Sequence, residues 1–159
     1  MMFRDLLRKK QQLPMEDCIQ ILKQETRGVL SVLGDDDYPY GMPMNHWYNE
    51  KDGKIYFHCG KTGHRLDALK KLDKVSFCTY DNGYRSDDEW ALHVKSVIVF
   101  GRIKIIDDME KIVDITTKLS CKFTQDSEYI QSEIQNYKHQ TLLLELTPEH
   151  ISGKMVTES

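Results

Sequence analysis

A mainly β fold with peripheral helices, closed as an antiparallel, Greek-key-like barrel of six or seven strands, is what the sequence predicts. Three observations point there. Short runs rich in β-branched and aromatic residues recur along most of the chain. Turn formers separate them, most clearly Asp52-Gly53 between two such runs, a hairpin signal. Helical periodicity is confined to a few stretches, without the strand–helix alternation that builds a parallel sheet.

The elements follow in order. Pro14 to Glu25 reads as a helix, with Pro14 in a first turn and Cys18, Ile19 and Leu22 on one face, and Gly28 ends it. Val29 to Leu33 is a first strand, closed by Gly34-Asp35-Asp36-Asp37. Tyr40 to Tyr48 is a second, and Pro43 within it places it at an edge or bulge. Ile55 to Cys59 is a third, His64 to Leu72 a helix, and Lys74 to Tyr80 a fourth strand. Asp81 to Glu89 is a polar loop. Trp90 to Phe100 and Gly101 to Ile106 form one long bent strand or a hairpin, with Gly101 at a bulge or kink. Asp107 and Asp108 cap a helix from Met109 to Ser120, and a more polar helix covers Asp126 to Tyr137. Thr141 to Leu146 is a last strand, stopped by Pro148. Residues 1–12 and 152–159 are expected to be loosely held tails of a single domain spanning 1–159.

Composition excludes several classes. The chain has 159 residues, 40% hydrophobic and 30% charged, with a net charge of −3, so no general attraction to nucleic acid is expected. No apolar run approaches a membrane span, and charges interrupt the N-terminus where a signal peptide needs an apolar core. Cys18, Cys59, Cys78 and Cys121 are widely spaced and read as reduced thiols of a cytoplasmic protein.

The loop Gly60 to Arg65 carries two glycines, Thr62 and three potential cations, and it opens a helix. Thr62 can cap that helix, whose positive end favours an anion. A phosphate-bearing ligand fits this junction, and so does an ordinary surface loop with solvated lysines. Gly60-Lys61-Thr62 is not a P-loop, because Ile55 stands where that motif needs its first glycine.

Four segments in order resemble the pyridoxamine-phosphate-oxidase-like split β-barrel flavoproteins, nitroimidazole-resistance branch. They are Gly28-Val29-Leu30-Ser31-Val32 with Tyr38 to Asn45; Ile55 to Cys59 with Gly63-His64-Arg65-Leu66; Ser96 to Gly101; and Ile151-Ser152-Gly153-Lys154. The resemblance implies an FMN-binding homodimer, with the flavin in a groove lined by both subunits. Met42, Pro43, Met44 and Asn45 would run along the ring. Arg65 and His64 would hold the phosphate, with Thr62 and Cys59 beside them. Ser96 falls at a flavin-contacting position, and His58 where a histidine faces flavin and ligand. The implied activity is a flavin-dependent reductase of nitroaromatics or similar acceptors, drawing on NADH or NADPH. The alternatives are a flavin-binding module without turnover, or a haem-binding barrel. The substrate-binding lysine and the C-terminal Arg-x-His of true oxidases are absent, and Ile151 replaces a frequent tryptophan.

His58 is the candidate proton donor, since histidine titrates in the useful range; a strand histidine can equally be part of a barrel wall. Trp47, Tyr48 and Trp90 fit stacking on a ring, the core or a dimer interface. Lys61 and Lys70 read as surface charges, and Asp87-Asp88-Glu89 as a solvated loop. A zinc site from His58, Cys59, His64 and Cys78 is disfavoured, because adjacent strand residues point to opposite faces; no metal is expected.

Overall fold

The computed structural model describes residues 3–158. The elements are α1 (Met15–Gln24), β1 (Arg27–Leu33), β2 (Pro39–Asn45), β3 (Trp47–Asn49), β4 (Lys54–Cys59), α2 (His64–Lys71), β5 (Lys74–Tyr80), β6 (Leu92–Ile106), α3 (Met109–Ser120), α4 (Ser127–Tyr137) and β7 (Leu142–Glu158). The seven strands form one sheet in the order β2-β1-β5-β6-β7-β4-β3, every pairing antiparallel.

The expected second strand is two strands. Asn45 ends β2 and Trp47 begins β3, with only His46 between them, yet β2 and β3 lie at opposite edges of the sheet. One residue cannot bridge a flat seven-stranded sheet, so the sheet curls until its edges approach. That closure makes a split barrel. His46 is fully buried at the crossing. Pro43 lies on edge strand β2, where a missing N–H is tolerated, as expected.

The last strand does not stop at Pro148. It runs to Glu158 and pairs with β6 from Leu92↔Glu158 to Ile106↔Leu143. The register slips where Phe100 faces His150 and Gly101 faces Pro148, leaving Glu149 as the extra residue of a bulge. The bulge accommodates both the proline and the bend anticipated at Gly101. The tail is therefore sheet rather than loosely held. The N-terminal segment is fastened too: Leu13 N–H donates to Gly153 O (2.9 Å), and Phe3 stacks on His150 and Phe100. Gly28 belongs to β1, beyond the end of α1.

Alternation along the strands separates two faces. Leu30, Val32, Phe57, Phe77, Val97, Val99 and Leu144 point inward and pack with Cys18, Ile21 and Leu22 of α1. Gly153 permits that packing, because a Cβ there would lie 2.5 Å from Cys18 Sγ and 3.1 Å from Ser96 O. On the outer side α3 covers part of β4 and β7, burying Tyr56, Leu143, Ile112 and Ile115. The outer side of the other strands is open. Register aligns Pro43, Val29, Cys78, Ile98 and Ser152 in one row across it. Asp108 caps α3, accepting from Lys111 N–H (3.2 Å), and Asp126 caps α4, accepting from Tyr129 N–H (3.1 Å).

Candidate functional site

The end of β4 and the start of α2 bring four of the predicted residues together. Arg65, in the first turn of α2, donates from Nε to Met42 Sδ of β2 at 2.9 Å. Its side chain thus reaches across the split from the β4 side to the β2 edge. His58 and Cys59 end β4 on opposite faces, His58 exposed and Cys59 buried. Although part of the residue meets water, desolvation by its surroundings, reinforced by the Arg65 guanidinium, lowers the His58 pKa from its usual 6.5. Burial pushes the Cys59 thiol up, and Arg65 offsets only part of that.

Arg65 is half-buried, and among the described residues no carboxylate pairs with it. A thioether is a weak acceptor for a guanidinium. The cation therefore keeps most of its donors for something else.

Two predictions are modified. Thr62 does not cap α2: the cap position is Gly63 at φ 133°, a backbone an L side chain rarely adopts, and Thr62 is exposed outside the helix. His64 turns towards the β1–β2 turn. Its Nε2 accepts the Asp35 N–H at 3.1 Å and its ring stacks on Tyr40 at 4.4 Å. That bond leaves only Nδ1–H for a ligand, so His64 ties the turn to the helix. Ser96 lies on the open face of β6 between Tyr80 and Lys154, three strands from β2. That is about 14 Å across the sheet from β2.

On β2, Met42 and Met44 are buried in the core while Pro43 is exposed and Asn45 half-buried. Tyr48 is buried, Trp47 lies against Tyr56 under Lys118, and Trp90 is 92% exposed. Lys61 and Lys70 are surface charges.

Two features escaped the reading of the sequence. Beside Pro43 is a cleft of about 410 Å³ lined by Glu25, Arg27, Val29, Pro43, Tyr80 and Asn82. Only strand register puts Arg27 across from Asn45, so no local motif marks it. The second is at the strand crossing. His46 Nε2–H donates to Leu22 O (2.9 Å), its ring meets Phe77 edge-on, and Nδ1 has no partner among the described residues. Burial, with Lys122 nearby, lowers its pKa to about 3. Lys122 Nζ donates to Glu25 O (2.6 Å) and His46 O (2.8 Å), and burial brings it down to about 8.

The sheet is curled and antiparallel, a cleft lies beside Pro43, and Arg65 is half-buried without a carboxylate among the described residues. The family model of pyridoxamine 5'-phosphate oxidase matches residues 14–155. The chain belongs to that family. No curated protein matches it. Among solved structures, one is a candidate 5-nitroimidazole antibiotic resistance protein from Bacteroides thetaiotaomicron (16% identity, TM-score 0.75, 92% of this chain and 87% of that one). A second is an FAD-binding protein from Mesorhizobium loti (20%, TM-score 0.64, 93% and 96%). A third is the flavocytochrome Anf3 from Azotobacter vinelandii (18%, TM-score 0.69, 90% and 67%). At these identities the likeness establishes the split-barrel fold of this family member. Among the described residues no helix is long and apolar enough to cross a membrane.

Proposed function

We propose that this chain is a homodimeric, FMN-dependent oxidoreductase passing electrons from a nicotinamide donor to a small acceptor such as a nitroaromatic. Arg65 carries the reading. A guanidinium half withdrawn from water and without a carboxylate is costly until an anion completes it. A flavin phosphate, at a helix start beside a forked donor, is that anion.

When bound, the flavin supplies electron or hydride transfer. The residues of the chain supply the rest. As an edge strand, β2 has unpaired backbone N–H and C=O groups along Met42 to Asn45 to meet the polar edge of a ring. His58 is on the exposed face beside Arg65, where its protonated form hands a proton to the acceptor. Because its pKa is lowered, turnover that uses this proton rises as pH falls below 6.5.

A dimer fits this reading, with Ser96 and Asn45, about 14 Å apart across the sheet, offered to one flavin by different subunits. The open face, with Ile98 and Phe100 about 40% exposed, suits that contact. Four free cysteines fit a cytoplasmic setting.

The test is the visible spectrum of the purified protein, then anaerobic titration with NADH and NADPH. The expected result is one FMN per chain, reduced by a nicotinamide and reoxidised by a nitroaromatic. His58→Ala should keep FMN and slow nitro reduction about a hundredfold; unchanged turnover makes His58 structural. FMN held without turnover leaves a binding module. A colourless protein indifferent to flavin, or a Soret band, ends the proposal.

A further inference from the structure

The cleft beside Pro43 has a wall held at three consecutive carbonyls. Lys122 Nζ donates to Glu25 O at 2.6 Å, His46 N–H to Thr26 O at 3.2 Å, and the buried Thr79 hydroxyl to Arg27 O at 2.8 Å. The backbone is thus spent on the protein. Glu25 and the exposed Arg27 line the cleft with Val29, Pro43, Tyr80 and Asn82.

Arg27 faces Asn45 across the β1–β2 ladder, as Val29 faces Pro43. Pro43 and Val29 offer an apolar floor, and the Tyr80 ring, 62% exposed, stands at its rim. No carboxylate pairs with Arg27 among the described residues. Glu25 is the opposing charge. Its carboxylate accepts from Gln24 Nε2 at 3.3 Å and acts on Lys122.

We propose that this cleft is the acceptor subsite, and that Arg27 selects flat acceptors carrying a carboxylate. The inference rests on the flavin reading, because Pro43 and Asn45 would place the ring at the mouth of the cleft. An acceptor lying on Pro43 and Val29 would turn its anionic edge to the guanidinium. A forked donor recognises a carboxylate in two bonds, which gives orientation as well as affinity.

The experiment compares 4-nitrobenzoate with the neutral 4-nitrobenzamide on FMN-loaded protein. Arg27→Met should raise the ratio of their KM values about tenfold, the range for a charge-assisted hydrogen bond. Arg27→Lys should fall between, and Glu25→Gln should lower the ratio. A second readout needs no turnover: benzoate binding, followed by calorimetry, should weaken by the same factor in Arg27→Met. If FMN is retained and both measurements are unchanged, Arg27 is not the selector and the flavin reading stands. If the unsubstituted protein does not hold FMN, both fall.

Discussion

Two parts of the outer face of this sheet treat charge in opposite ways. Under α3, Glu145 is 5% exposed and every neighbour answers it. Lys111 Nζ is 2.6 Å away and Lys54 Nζ 3.1 Å. Tyr56 O–H lies 2.6 Å from Asp52 and 3.1 Å from Glu145, and burial and these carboxylates push its pKa well up. Burial raises the Glu145 pKa, but the hydrogen bonds from Lys111 and Lys54 outweigh it and hold the group ionised. On the open side Arg27 has no carboxylate among the described residues, and apolar Val29 and Ile98 meet water; Arg65, at the split, has none among them either. Where a helix covers the sheet, the chain completes its own charges. Where none does, both cases occur: Arg102 pairs with Asp73 and Glu149, while the exposed Arg27 has no carboxylate among the described residues.

The comparison breaks most visibly at Glu145. Glu145→Ala removes the carboxylate shared by two ammonium groups that are each about a third exposed, and should cost about 2 kcal/mol of stability, measured by urea unfolding. A loss below about 0.5 kcal/mol would mean the network is ornamental. Removing the open cation should do the reverse. Arg65→Ala is expected to leave the unfolding midpoint of the flavin-free protein unchanged or raised, while weakening FMN binding by about 1.5–3 kcal/mol. Unchanged flavin retention removes Arg65 from the site.

A third test uses pH and the buried crossing. His46 has a folded pKa of about 3 against 6.5 unfolded, so the unfolded chain takes up the proton first. Stability is therefore complete above about pH 6.5 and falls as pH drops towards 3. Roughly 2 kcal/mol should be lost between pH 7 and pH 5. Parallel urea curves at the two values check it, and no loss means His46 is not buried as described. The smallest effect on folding belongs to Ile98→Glu on the open face, within about 0.5 kcal/mol. That same variant should run as a monomer in sedimentation, whereas Ile112→Glu, under α3, should not fold. A dimeric Ile98→Glu protein places the interface elsewhere.

Much of the fold was legible because periodicity and turn chemistry are local. The four helices appear where Ile112, Ile115 and Leu119, or Leu66 and Leu69, recur at helical spacing. Pro43 announced an edge or a bulge, and Gly101 a bulge or a kink. The errors share a cause. Pro148 forbids a strand only where its N–H is needed, and the bulge at Glu149 removes that need. Tyr40 to Tyr48 reads as one run because nothing local says that His46 will be buried against Leu22 and Phe77. At the site, Arg65 was legible from the loop that carries it. Its bond to Met42 was not, since 23 residues and a closed barrel separate them. Arg27 and the cleft were invisible for the same reason.

By itself, then, the sequence determined the inventory: six extended segments, one of them with a hidden break, the helices between them, and a cation at the start of α2. Propensity, capping and alternation act over a few residues, and those can be read along the chain. Only the tertiary structure decided which edge meets which, where a charge is answered and where it is left open. Those outcomes depend on register and on the curl of the sheet, which sum small contributions over strands far apart in sequence.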